Sequence, residues 1–373
     1  MQTIHRAYFK DSRNMQAIAS ASVELVVTSP PYPMIEMWDE GFGAHHPAVR
    51  RALKRCDGRE AFALMHGALD PVWKESHRIL KPGGFACINI GDAARTVGDD
   101  FMLYPNHARI LSCMLELGFA PLPAVLWRKQ TNAPNKFMGS GMYPAGAYVT
   151  LEHEYILILR KGGKREFTSE EEKRRRRESA IFWEERNAWY SDVWMELKGT
   201  RQGLQAKETR RRSGAFPFEL AYRLISMFSV KGDTVVDPFL GTGTTLKAAA
   251  AAGRNSIGYE IEPEFRQDIF SGPADLIAQG HQRVRSRIKD HLGFIEQRQA
   301  AGREIKYINR NYRFPVVTRQ ETELLFDILA EVSLEGRDGF QATYSEDPGR
   351  ILDPQCSIST SLLPKTNGQL SLF

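Results

Sequence analysis

Cysteine is scarce in this chain, 4 of 373 residues. Cys56, Cys87, Cys113 and Cys356 stand far apart and form no CxxC pair. That spacing excludes a zinc ribbon or a dithiol redox pair and predicts buried or incidental thiols of a reducing compartment. No cysteine follows a proline, which excludes a Pro-Cys nucleophile for covalent attack. His45-His46, and His153 between Glu152 and Glu154, lack the spacing of a metal site, so no metal is expected. Long apolar runs are also missing: none approaches the ~18 residues of a membrane helix. The opening Met1-Gln2-Thr3-Ile4-His5-Arg6 has no apolar signal core, so the cytoplasm is the expected compartment and no membrane contact is expected. Charge is not extreme, with a formal net charge of +5. Such a balance suits a polyanionic partner without demanding one.

What remains reads as a soluble α/β protein, 42% hydrophobic and 25% charged. Residues 23–27 form a buried-strand pattern. Residues 60–80 repeat apolar side chains at helical spacing, through Phe62, Met65, Leu69, Val72, Trp73 and Ile79. Lys81-Pro82-Gly83-Gly84 stops that helix, and a strand follows over 85–90. A helix over 106–117 and a strand over 123–127 come next. Alternation of this kind predicts a parallel sheet. The pattern breaks at 129–150, which is rich in Asn, Gly, Pro, Met and Tyr. A strand over 151–160 and a charge-dense, helical 161–190 follow. The alternation returns at 215. Residues 303–345 look like a small mixed appendage and 346–373 like a loose tail. Glu170–172 and Arg174–177 read as an internally paired, solvated helix as readily as a DNA contact. Trp183, Trp189 and Trp194 read as core.

Two segments carry chemistry. Val235-Val236-Asp237-Pro238-Phe239-Leu240-Gly241-Thr242-Gly243-Thr244-Thr245 is strand, Gly-rich turn and helix start. Such a turn presents backbone N–H groups and a positive helix end. Gly241 and Gly243 allow close approach of a ligand, and Gly243→Val is expected to block binding by steric intrusion. Asp237 ends the strand, where a carboxylate can pair with a ligand ammonium. Glu260 ends the next strand, where an acid can bind ribose hydroxyls. Leu246 stands where a dinucleotide fingerprint needs a third small residue. That counts against NAD or FAD and suits a cofactor without phosphates, such as S-adenosylmethionine.

The second segment is Thr28-Ser29-Pro30-Pro31-Tyr32. An exocyclic amine on a nucleobase is a poor nucleophile because its lone pair is delocalised into the ring. Two acceptors aimed at its hydrogens, Ser29 Oγ and the Pro30 carbonyl, draw the nitrogen toward tetrahedral geometry. Pro30 and Pro31 stiffen the turn, which preorganises the acceptors. Tyr32 offers a flat face for an extruded base.

Thr-Ser-Pro-Pro-Tyr resembles motif IV of the amino-group DNA methyltransferases, and Asp-Pro-Phe-x-Gly-x-Gly-Thr-Thr resembles their motif I. Motif IV precedes motif I here, which is similar to the permuted order of the beta class. The Ser form of motif IV is typical of N4-cytosine enzymes; adenine N6 enzymes mostly carry Asp or Asn. The resemblance implies a Rossmann-like sheet of permuted order, S-adenosylmethionine as cofactor, and duplex DNA as partner. It further implies a restriction–modification system with a cognate endonuclease. By the same resemblance Asp11 contacts the cofactor adenine, Phe216 of the Ser213-Gly214-Ala215-Phe216-Pro217 segment packs on the cofactor, and Thr28, Asp237, Phe239, Gly241, Thr242, Gly243, Thr244 and Glu260 complete that site. Lys81-Pro82-Gly83-Gly84 and Ile88-Asn89-Ile90-Gly91-Asp92 resemble motifs V and VI. The implied organisation is a discontinuous catalytic domain, 1–128 and 206–290, a target-recognition insert, 129–205, and a C-terminal appendage and tail, 291–373. Lys129, Lys136, Arg210, Arg211 and Arg212 are expected to meet phosphates, and Asn132 to read base edges. Three rivals stay open: an adenine N6 enzyme, an RNA methyltransferase, and a non-catalytic DNA-binding module.

Overall fold

Strand β2 (Val23–Thr28) is buried along its whole length, as an apolar run without alternation requires when both faces of a sheet are covered. Leu25 and Val27 join one core and Val23 and Val26 the other. Each such side chain, fully buried, stabilises the fold by roughly 1.5–3 kcal/mol. The computed structural model describes residues 1–129, 138–197, 216–345, 347 and 351.

The large sheet has ten strands among the described residues. Before β2 comes β1 (Gln2–Tyr8), and after it β3 (Leu80–Ile90). A two-stranded hairpin, β4 (Ala93–Val97) and β5 (Asp100–Tyr104), precedes β6 (Phe119–Arg128). Another short pair, β7 (Met138–Gly139) and β8 (Ala147–Tyr148), precedes β9 (His153–Lys161) and β10 (Val193–Trp194). Then come β11 (Thr234–Asp237), β12 (Asn255–Tyr259) and the pair β13 (Tyr307–Ile308) and β14 (Pro315–Val316). The last two are β15 (Leu329–Leu334) and β16 (Gly339–Tyr344).

The spatial order is β10-β6-β9-β3-β2-β11-β12-β1-β16-β15. From β3 to β1 the strands run parallel; β9 is antiparallel to both its neighbours. Helices α1 (Asp39–His45), α2 (Pro47–Lys54), α3 (Gly58–Ile79) and α4 (Asn106–Glu116) cover one face. The chain then forms α5 (Glu170–Glu178) and α6 (Trp183–Trp189), and α7 (Phe218–Phe228), α8 (Thr244–Ala251), α9 (Arg266–Phe270) and α10 (Pro273–Ala300). Buried side chains of α6 through α10 line the other face. The connection from β2 leads away to β3, and that from β11 leads the opposite way to β12. The crevice between β2 and β11 is therefore the topological switch point of the sheet, where open α/β proteins bind ligands. Among the described residues no helix is long and apolar enough to cross a membrane.

The expected boundaries need correction at two places. β9 and β10 fall within the expected insert, 129–205, yet β9 lies between β3 and β6 as a full member of the sheet. Residues 329–344, expected in a separate appendage, add β15 and β16 to the β1 edge. Nor do α5 and α6 stand apart. Phe182 packs with Val284, Ile288, Tyr312, Phe314 and Phe326 in a core shared with α10 and the appendage. Buried Arg287 of α10 holds Glu185 through two bonds of 2.6 Å. The charges of α5 pair internally, Lys173 with Glu170, Arg174 with Glu178 and Arg175 with Glu171. Trp189 and Trp194 are buried, whereas Trp183 is partly exposed, over Phe294 and Arg298. Cys87 and Cys113 are buried and Cys56 is exposed.

Candidate active site

β2 and β11 are neighbours in register, with Leu25 opposite Val235 and Val26 opposite Val236. Because they run parallel, Thr28 and Asp237 end at the same edge. Thr28 Oγ1 donates to Asp237 Oδ1 at 2.6 Å. Thr245 Oγ1 donates to Oδ2 at 2.6 Å, and the Phe239 N–H to Oδ1 at 3.0 Å. Burial pushes the Asp237 carboxyl up to about 6, against the pull of these donors. Both oxygens thus have protein donors. Asp237 works first as a clamp between strand, turn and helix, a duty the expected ammonium contact did not anticipate.

The glycine turn hangs from this clamp. Gly241 takes φ of 54°, and the space a Cβ would enter is open. Its N–H donates to Glu260 Oε2 at 2.7 Å, and the Glu262 N–H to Oε1 at 2.9 Å. Burial raises the Glu260 carboxyl to about 7 despite these bonds. Gly243 takes φ of 82° and caps α8. A Cβ there would meet Ile269 of α9 at 3.3 Å. A valine at 243 therefore intrudes on packing rather than on the cavity, which corrects the expected reason for its effect. Thr242 is buried, and Thr244 opens α8 on the cavity. Phe239 packs edge-on to Trp73, and Phe216 is buried in the wall. Asp11 is held by Arg13 at 2.5 and 2.8 Å. Partial burial raises its carboxyl, but the Arg13 bonds and charge outweigh this and leave it below its ordinary value.

The opposite wall starts at Ser29. Its hydroxyl donates to Tyr32 Oη at 3.1 Å. Tyr32 Oη donates to Glu154 Oε2 at 2.8 Å and accepts from Asn89 Nδ2 at 2.8 Å. Asn89 Nδ2 also reaches Glu154 Oε2 at 2.7 Å. Lys129 Nζ pairs with Glu154 Oε1 at 2.8 Å. Burial, then the charge of Glu154, raises the Tyr32 phenol well above its ordinary value, so it stays protonated. Gly91 gives the ring its room, since a Cβ there would stand 3.0 Å from Tyr32.

Both walls face one cavity of about 1140 Å³, with Ser29 through Tyr32, Lys129 and Glu154 on one side and Asp11, Phe216, Asp237, Phe239, Gly241, Thr244 and Glu260 on the other. Arg13, His45 and His46 also line it. Lys129, expected at a phosphate, is ion-paired within the wall. Asn132, Lys136, Arg210, Arg211 and Arg212, and the Ser213-Gly214-Ala215 segment, lie outside the described residues. Sequence reasoning missed Asn89 and Glu154 as site residues. The sequence signal was weak: Glu154 directly precedes the apolar strand Tyr155-Ile156-Leu157-Ile158-Leu159, but Glu152 stands two residues before Glu154.

Comparison with known proteins agrees with this geometry. The family model described as DNA methylase, which covers N6 and N4 amino-group enzymes, matches residues 23–271. The Type II methyltransferase M.MthZI of Methanothermobacter thermautotrophicus is 52% identical over 325 residues, 87% of this chain and 90% of that protein. M.MjaI of Methanocaldococcus jannaschii, also a Type II methyltransferase, is 48% identical over 278 residues, 72% of this chain and 90% of its own length. Among solved structures, a protein of Thermus thermophilus assigned as a DNA modification methylase, in complex with S-adenosyl-L-methionine, is 32% identical with a TM-score of 0.56. The match covers 74% of this chain and 93% of that one. The chain belongs to the N6/N4 DNA methylase family.

Proposed function

We propose that this protein transfers a methyl group from S-adenosylmethionine to the N4 amine of cytosine in a specific duplex DNA sequence, as the protective half of a restriction–modification pair. One observation carries the reading: the 2.6 Å bond from Thr28 to Asp237 sets the Ser-Pro-Pro-Tyr turn beside the glycine turn. An amine held at Ser29 and a donor held at the glycine turn then share one cavity.

The wall fits the cofactor. Gly241 leaves open space against the turn. In this reading Glu260 accepts from ribose hydroxyls, Asp11 accepts from the adenine amine, and Phe216 and Phe239 supply apolar surface; all four line the cavity. S-adenosylmethionine, when bound, supplies a methyl group already activated on a sulfonium sulfur. Ser29 commits its proton to Tyr32, so its lone pairs face the amine hydrogens. Tyr32, fixed by Asn89 and Glu154, presents its ring to the base. A neutral serine at this position supports cytosine, as the family resemblance implies. The relatives' Type II character supports the restriction–modification setting. Target recognition is assigned to 129–205, with Asn132 reading bases and Lys136 meeting the DNA backbone; Arg210, Arg211 and Arg212, which follow that stretch, are further backbone contacts.

Transfer of a tritiated methyl group to unmodified genomic DNA, followed by nucleoside analysis, tests the proposal. N4-methylcytosine is the expected product. N6-methyladenine alone would move the base assignment and leave the enzyme class intact.

A further inference from the structure

We propose that Glu154 is the terminal proton acceptor of a hydrogen-bonded chain, Ser29 to Tyr32 to Glu154, that removes the proton released when the target amine is methylated. The inference rests on the methyl-transfer reading above and gives Glu154, which in that reading only fixes Tyr32, a chemical duty.

The direction of the chain follows from donor and acceptor counts. A phenol has one proton to donate. Tyr32 Oη accepts from Asn89 Nδ2, so its own proton must point elsewhere, and Glu154 Oε2 lies 2.8 Å away. Ser29 Oγ, 3.1 Å from Tyr32 Oη, donates to that phenol oxygen. Every step therefore points from the amine toward the carboxylate. Asn89 enforces this polarity. Its Nδ2 serves both Tyr32 and Glu154, while its Oδ1 is buried without a partner. The opposite amide orientation would aim that oxygen at Glu154 Oε2, so the orientation seen is the one that gives this acceptor a donor.

Glu154 is equipped for the end of the chain. Tyr32 and Asn89 donate to its Oε2 and Lys129 to its Oε1, so the chain from Ser29 ends on an oxygen that only accepts. It also lines the cavity, which gives the collected proton a way out to water. The Tyr32 phenol, raised well above its ordinary value, passes a proton through without resting as a phenolate.

The step balances. As the amine nitrogen forms its bond to the methyl carbon, the carbon–sulfur bond breaks with its electron pair left on sulfur, and the nitrogen carries one proton too many. That proton goes to Ser29 Oγ, the Ser29 proton to Tyr32 Oη, and the Tyr32 proton to Glu154 Oε2. The products are a neutral methylated base, unchanged hydroxyls and a neutral carboxylic acid beside Lys129.

A purely positional Glu154 is the competing account, and glutamine separates the two. Glu154→Gln keeps an acceptor oxygen for Tyr32 and Asn89 but takes up no proton. The full-length wild type, Tyr32→Phe, Glu154→Gln and Glu154→Asp are assayed on unmodified genomic DNA with tritiated S-adenosylmethionine. Glu154→Gln and Tyr32→Phe are each expected to lower kcat at least tenfold, with KM for DNA and for cofactor within twofold, and Glu154→Asp to recover part of the loss. A readout independent of turnover is the 13Cζ-tyrosine spectrum of the cofactor-free protein, with the Tyr32 signal identified by its loss in Tyr32→Phe. That signal is expected to titrate at lower pH in Glu154→Gln than in the wild type. The relay is overturned if Glu154→Gln keeps kcat within twofold, or if its Tyr32 titration does not move. If Glu154→Gln fails to fold, Tyr32→Phe, which keeps the ring, decides: full turnover overturns the relay. A wild type that methylates no DNA would instead sink the methyl-transfer reading itself.

Discussion

The two walls of the cavity are built in different ways. The cofactor wall comes largely from one continuous stretch, Asp237 to Glu260, folded as strand, turn, helix and strand. Its acids are buried, and their oxygens are already engaged by Thr28, Thr245 and the N–H groups of Phe239, Gly241 and Glu262. The catalytic wall is assembled from places far apart in the chain, with Ser29 and Tyr32 after β2, Asn89 on β3, and Glu154 on β9 beside Lys129. Its donors converge on one carboxylate. A wall of local contacts can be read as a motif and is rigid in itself. A wall of distant contacts exists only once the sheet has formed.

The comparison can be broken most sharply at Ser29. Ser29→Ala should cut the single-turnover rate of methyl transfer by roughly 10²–10³-fold, the loss that follows removal of one preorganised polar group. Equilibrium dialysis with labelled cofactor should show unchanged affinity, and an equal loss of both would mean that the walls are not separable.

The glycine turn gives the reciprocal test. Gly241→Val places a β-branched side chain at φ of 54°, facing open cavity, and should abolish cofactor binding, with a loss of melting temperature set by backbone strain alone. Gly243→Val should lower the melting temperature as well, through contact with Ile269. Calorimetry of both variants distinguishes the two faces.

At the junction, Thr28→Val removes one donor from buried Asp237 and should destabilise by about 1–3 kcal/mol in denaturant unfolding. It should affect both walls together.

The acids of the cofactor wall predict a pH effect of known sign. Glu260 lies at about 7 in the folded state against an ordinary value of 4.5. Between those values the folded protein binds more protons than the unfolded chain, so this group's contribution to stability falls as pH rises and levels off above about 7. Asp237, at about 6 against 3.8, acts in the same direction. Glu260→Gln should flatten the decline between roughly pH 5 and 7, as measured by thermal unfolding across that range.

The smallest effect is expected at Lys129, whose side chain is 48% exposed. If the ammonium stays with Glu154, Lys129→Ala should leave the salt dependence of duplex binding unaltered. A drop of about one in the salt slope would return Lys129 to a phosphate.

Much of this was legible from the chain. The strand at 23–28, the helices at 58–79 and 106–116, and the unit from 234 to 259 follow from apolar periodicity and glycine placement, which act over a few residues. The paired charges of α5 were equally readable, because partners three or four apart meet on any helix. Glu154 was not. Read locally it is one more charge beside His153, and nothing nearby says that β9 inserts between β3 and β6.

The sequence by itself determined the elements, the stiff Ser-Pro-Pro-Tyr turn, the glycine turn and the family, because each depends on local backbone preference. Only the tertiary structure decided that Thr28 meets Asp237 and that Asn89, Glu154 and Lys129 close around Tyr32. It also decided that the supposed insert and appendage lend strands to the sheet. Those outcomes follow from the order in which strands pair, which is set by burial of the whole sheet rather than by any one segment.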